Sequence, residues 1–145
     1  MSASGTTAGH GGGPSAVFVY GTLLPGHLRW SLVAPFVATS RPARAAGRLY
    51  DTGRRYPAAL FADHARGGGP GPPVGEVHGA LLVLRPERVT AALEVLDLVE
   101  GDEYARIEIG VAEVASTAIT RCWTYEWIAG RERLVPVPGG RWTGE

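Results

Sequence analysis

The sequence predicts an α+β domain, in which a small mixed β-barrel or curled sheet packs against one main helix. Three observations carry that expectation. One segment shows sustained helical periodicity, several short apolar or alternating segments flank it, and glycine- and proline-rich turns separate them. At 145 residues the chain suits one domain, expected over residues 16–145, that buries roughly two thirds of its unfolded surface.

The elements follow in order. Met1 to Ser15 is rich in Gly, Ser, Ala and Thr, has no basic region or long apolar run, and reads as a disordered leader rather than a secretory signal. Ala16-Val17-Phe18-Val19-Tyr20 is a short apolar run with β-branched content, as a buried strand requires, and it stops at Gly21. Gly21 to Gly26 forms a loop, and His27 to Leu32 suits a helical turn. Arg44 to Tyr50 reads as a strand, Asp51-Thr52-Gly53 as a turn, and Ala58 to Phe61 as the return of that hairpin. Gly67 to Pro73 supports neither helix nor ladder and reads as a surface loop. Val74 to Leu84 is a strand with Gly79 as a candidate bulge.

From Pro86 to Glu100 the apolar residues Val89, Ala92, Leu93, Leu96 and Val99 recur at three- and four-residue steps, marking one helix face. Pro86 suits the first turn, and Gly101 a C′ cap. Beyond the helix, Ala105 to Val114 alternates, with Ile107, Ile109 and Val111 opposite Arg106 and Glu108. Ile119 to Ile128 alternates again, with Trp123, Tyr125 and Trp127 opposite Cys122. The tail carries Pro136, Pro138, Gly139 and Gly140 ahead of Trp142.

Composition narrows the chemistry. Acidic and basic residues balance at 14 each, so charge points to neither nucleic acid nor an anionic membrane. No apolar run approaches the roughly 20 residues that cross a bilayer as a helix. All 14 basic residues are arginine, which excludes Schiff-base and lysine-nucleophile chemistry. A lone cysteine, Cys122, allows no intrachain disulfide and makes a cytoplasmic setting the expectation. His10, His27, His64 and His78 lack metal-ligand spacing, so no metal site is expected. Cys122 reads as a buried small hydrophobe.

Two features carry chemistry. Glu100 falls within about 40° of Leu93 and Leu96 on a helical wheel, so a carboxylate ends an apolar row. Desolvation there, and the negative end of the helix dipole, raise its pKa toward the range of a general base. Near the other end, the strand into Tyr20-Gly21-Thr22-Leu23 exposes successive backbone N–H groups that suit a carboxylate or an oxyanion. Asp97 lies toward the edge of the Glu100 face and reads as a hydrogen-bond partner for a loop or for Arg106. Arg54 and Arg55 suit either a pocket mouth or a solvated turn.

These motifs stand in a familiar order: Tyr20-Gly21-Thr22-Leu23, Gly47-x-Leu49-Tyr50-Asp51, Tyr56-Pro57-Ala58, Val77-x-Gly79, then Leu96-Asp97-x-x-Glu100-Gly101-x-x-Tyr104-x-Arg106 and a late aromatic strand. The chain resembles the γ-glutamylcyclotransferase-like superfamily over nearly everything from Val17 to Trp142, in particular its AIG2-like and γ-glutamylamine cyclotransferase branch. The resemblance implies that fold, with Glu100 as the catalytic acid/base and Tyr20, Gly21, Thr22 and Leu23 as the substrate-binding loop. Tyr104 and Arg106 match a Tyr-x-Arg of structural or pocket-supporting role. Thr22 stands where several branches carry serine, as in the amine-type branch.

The reaction implied is release of 5-oxoproline and an amine or amino acid from a small γ-glutamyl substrate, without cofactor, by a monomer or weak homodimer. The alternatives are a noncatalytic small-molecule binder of the same fold, or an enzyme removing a γ-glutamyl protecting group from a biosynthetic intermediate. The leaving group is not named by any motif.

Overall fold

A computed structural model describes residues 13–62 and 75–143. Most of the expected leader, with His10, and the Gly67 to Pro73 loop and His64 lie outside the described residues.

The first strand, β1 (Ala16–Val19), is buried along its whole length. Its alternate residues feed two different cores. Ala16 and Phe18, with Tyr20 just past the strand, enter one cluster with Phe61, Leu81, Ile109 and Cys122, while Val17 and Val19 enter another with Leu82, Val89, Leu93 and Leu96. Burial on both faces is why this segment is a continuous apolar run rather than an alternating one. A one-turn helix, α1 (Trp30–Val33), follows the loop and leads through a 3-10 turn (Ala34–Phe36) into β2.

Strand β2 (Val37–Asp51) is the spine of the fold. It pairs antiparallel with β3 (Pro57–Phe61) from Gly47 onward and with β4 (Glu76–Leu84) before that. Strands β5 (Tyr104–Glu113) and β6 (Ile119–Trp127) form an antiparallel pair. Strand β1 lies between β4, antiparallel, and β6, parallel. Contacts Ala43↔Glu113 and Arg44↔Ala112 join β2 to β5 and close a five-stranded ring, β2-β4-β1-β6-β5. A closed mixed barrel is the result. A two-residue strand, β7 (Val135–Pro136), adds to β2.

The expected strand at Arg44 to Tyr50 is the alternating half of a longer element. Residues 37–42 are exposed or partly so, carry no apolar alternation, and are held in β2 by pairing with β4. Gly79 is not a bulge. It stays in register opposite Ala43, and the irregularity falls between Val37 and Thr39 instead. A Cβ at Gly79 would stand 2.0 Å from the Val19 carbonyl oxygen, so the glycine serves close approach of β1 to β4.

The main helix, α2 (Val89–Glu100), is preceded by a 3-10 turn at Pro86–Arg88, and buries Val89, Ala92, Leu93 and Leu96 against the outside of the barrel. Fully burying each of the larger side chains is worth about 1.5–3 kcal/mol. The helix stops at Gly101, whose φ of 74° suits glycine and whose N–H donates to the Asp97 carbonyl, as expected for the cap. Among the described residues no helix is long and apolar enough to cross a membrane.

Trp142 lies beyond the last strand yet is 5% exposed and packed into the barrel interior. The turn before it is anchored by Gly140, whose carbonyl accepts from His78 N–H at 2.8 Å.

Candidate active site

The end of β1, the loop after it and the end of α2 meet at a cavity of about 230 Å3. Gly21, Thr22 and Leu23 line one side, Glu100 and Val99 another, with Arg29, Tyr56, Pro57, Glu103, Tyr104 and Tyr125 completing the wall. Every residue expected at the site from sequence, Tyr20, Gly21, Thr22, Leu23 and Glu100, borders this one cavity.

The loop is fixed by its own backbone. Leu24 N–H donates to the Gly21 carbonyl at 3.0 Å, and Arg29 N–H to the Thr22 carbonyl at 2.7 Å. Gly21 packs so closely on Pro57 that a Cβ would stand 2.7 Å from the proline ring. Among the described residues none accepts from the N–H groups of Gly21, Thr22 or Leu23. All three residues are buried, and a buried donor without an acceptor costs about 1–3 kcal/mol. All three residues border the cavity.

Three acidic residues approach the site, and two are already committed. Asp97 receives both arms of the Arg106 guanidinium, at 2.9 and 3.3 Å, and the Tyr125 hydroxyl at 2.6 Å. Arg106 in turn lies 4.6 Å from the centroid of the Trp123 ring. Glu103 accepts from the Tyr56 hydroxyl at 2.8 Å on one oxygen and from Arg54 at 2.9 Å on the other. Glu100 is the third. Burial pushes its carboxyl up to about 7, against an opposing through-space pull from Arg29. Among the described residues no hydrogen bond or ion pair engages its carboxyl.

The tyrosines supply walls and rigidity. Burial raises the hydroxyls of Tyr20, Tyr104 and Tyr125 well above the ordinary phenol range, so they remain protonated donors. Tyr20 donates to the Tyr125 carbonyl, and Tyr104 to the Pro57 carbonyl. Those bonds tie β1 to β6 and β5 to β3 around the cavity.

Asp97 pairs with Arg106, as expected. Arg54 reaches Glu103 at the edge of the cavity, and Arg106 is held at Asp97, outside the cavity wall. Cys122 is fully buried in the barrel interior, opposite the half-buried Trp123. Among the described residues no group of three metal-ligating side chains gathers. Arg29, Tyr56 and Glu103 received no definite site role from sequence. Tyr56 stood within a quoted motif, but Arg29 lies in a stretch with no periodicity to place it.

A closed five-stranded mixed barrel with one helix packed on its outside defines the γ-glutamylcyclotransferase-like fold class. The chain belongs to the family described as gamma-glutamyl cyclotransferase, AIG2-like, whose model matches residues 17–144. It is 30% identical over 132 residues to AIG2-like protein B of Arabidopsis thaliana, an alignment covering 89% of this chain and 66% of that protein. Among solved structures, YkqA of Bacillus subtilis superposes with a TM-score of 0.63 at 21% identity, covering 88% of this chain and 39% of its own. An AIG2-like protein of Mus musculus gives 0.57 at 20% identity, covering 83% and 81%. These two likenesses establish the fold. The chain spans less than two thirds of the plant relative and of YkqA.

Proposed function

We propose that this protein is a γ-glutamyl cyclotransferase, releasing 5-oxoproline and an amine or amino acid from a γ-glutamyl compound. The observation that carries the reading is Glu100, an uncommitted acid whose carboxyl is pushed up to about 7, bordering the same cavity as the free N–H groups of Gly21 to Leu23. Family membership supports the same reaction class.

The substrate's α-amine is protonated near neutral pH and cannot attack until a proton is removed. Glu100 takes that proton. The amine nitrogen then bonds to the γ-carbonyl carbon, closing a five-membered lactam through a tetrahedral intermediate. The bond from that carbon to the leaving nitrogen breaks as Glu100 returns the proton to it, and the ring nitrogen, cationic after the attack, gives up its second proton, which the departed amine takes to leave as an ammonium. Backbone N–H groups of the Tyr20–Leu23 loop offset the charge on the tetrahedral oxygen or hold the carboxylate. Nucleophile and electrophile share one molecule, so the cavity acts chiefly by imposing a folded conformer. The steps are redox-neutral and consume no cofactor. The single cysteine suits a reducing, cytoplasmic setting.

The test is incubation with a panel of γ-glutamyl amines and dipeptides, reading 5-oxoproline. We expect turnover by the native protein and a loss of about a thousandfold in Glu100→Gln with the fold retained. Undiminished turnover in that variant sinks the mechanism. A ligand-induced rise in melting temperature without product identifies a binding protein instead.

A further inference from the structure

Among the described residues the cavity wall holds one cation, Arg29, and the steps above make no use of it. Its position is well fixed. The backbone N–H is bonded to Thr22 in the loop, and Nη1 donates over 3.4 Å to the carbonyl of Val99, the residue before Glu100. Arg29 therefore bridges the two halves of the site.

Its partners differ from those of other arginines. Arg54 pairs with Glu103, Arg106 with Asp97, and Arg44 with Glu76, each at 2.9–3.1 Å. No described carboxylate stands within ion-pairing distance of Arg29. One long bond to a carbonyl leaves most of its five N–H donors uncommitted. With Glu103 already countered by Arg54, the cavity presents a net positive charge whenever Glu100 is protonated.

The family reaction puts an amine and a carboxylate on one carbon of the substrate. A base that meets the amine brings the carboxylate to the groups next to that base, and Arg29 is the cation whose field acts on Glu100. We propose that Arg29 binds the α-carboxylate of the glutamyl head, which leaves the N–H groups of Gly21, Thr22 and Leu23 to the γ-carbonyl oxygen. The inference rests on the cyclotransferase reading and narrows its substrate class. Compounds with a free α-carboxylate are accepted, and those amidated or esterified there are rejected.

The experiment compares γ-glutamyl ethylamide with its α-carboxamide analogue. The native protein is expected to prefer the free acid by about 100-fold in kcat/KM. Arg29→Met lowers the free acid to the level of the analogue, so the preference falls to about one, and Arg29→Lys restores part of it. Equal loss on both compounds, with the preference intact, overturns the assignment. A loss confined to substrates whose leaving group carries its own carboxylate overturns it too. Calorimetric binding to Glu100→Gln, with and without Arg29→Met, separates this inference from the reading beneath it. An Arg29-dependent preference for the free acid supports the carboxylate site even where the native protein forms no 5-oxoproline. Binding of both compounds alike overturns it.

Discussion

Glu100 has an ordinary pKa near 4.5 and one of about 7 in the folded protein, because burial penalises its charged form. The folded state therefore holds the proton more tightly than the unfolded chain. Stability from this group is fully present below pH 4.5 and is lost as the pH rises through 7, a change of order 3 kcal/mol. Urea unfolding of the native protein at pH 5 and pH 8 should show that loss, and Glu100→Gln should remove most of it. Equal pH dependence in the two proteins would show that Glu100 is solvated. On the proposed mechanism the same titration sets the catalytic profile, and turnover is expected to rise with pH toward 7 as the carboxylate forms. At this scale the acid itself was legible, because Val89, Leu93 and Leu96 fixed the face on which it had to fall. Its isolation was not. Asp97 read as a partner for a loop or for Arg106, and the structure chooses Arg106; that Glu103 is taken by Arg54 had no sequence signal.

At the scale of elements, α2 and β1 behave as their patterns require, and β2 does not. The helix face is legible because period 3.6 survives any partner. The exposed half of β2 carries no pattern, since its place is set by the strand it pairs with. Gly79 makes the same point in reverse. In sequence it marks only a weak spot in a strand, whereas in the barrel it is where the backbones of β1 and β4 come closest. Gly79→Ala places a methyl group against the Val19 carbonyl, and one of the two strands must shift. We expect a loss of at least about 2 kcal/mol by chemical denaturation. A variant as stable as the native protein would show that the strands separate freely there. Because Val19 leads directly into the loop, surviving Gly79→Ala protein should also turn over more slowly.

The described residues form a ring closed where β2 meets β5, at Ala43↔Glu113, Arg44↔Ala112 and the Val114 N–H to the Pro42 carbonyl, and the tail adds Trp142 to its filling. Trp142 occupies the barrel interior, and among the described residues nothing accepts from its buried indole N–H. Its contribution is therefore volume rather than hydrogen bonding. Trp142→Ala should cost about 3–5 kcal/mol by denaturant unfolding, and Trp142→Phe far less. Equal losses in both variants would mean that the indole nitrogen matters after all.

What the sequence alone determined is the α+β class, the main helix with Glu100 on its apolar row, and the loop at Tyr20-Gly21-Thr22-Leu23. Each is written in local periodicity or in residues that change the backbone's allowed shape. Barrel closure, the course of β2, the plug at Trp142 and the arrival of Arg29 beside Glu100 were decided only by tertiary structure. Those depend on residues tens of positions apart meeting in space, and no local pattern records which surface a side chain will find there.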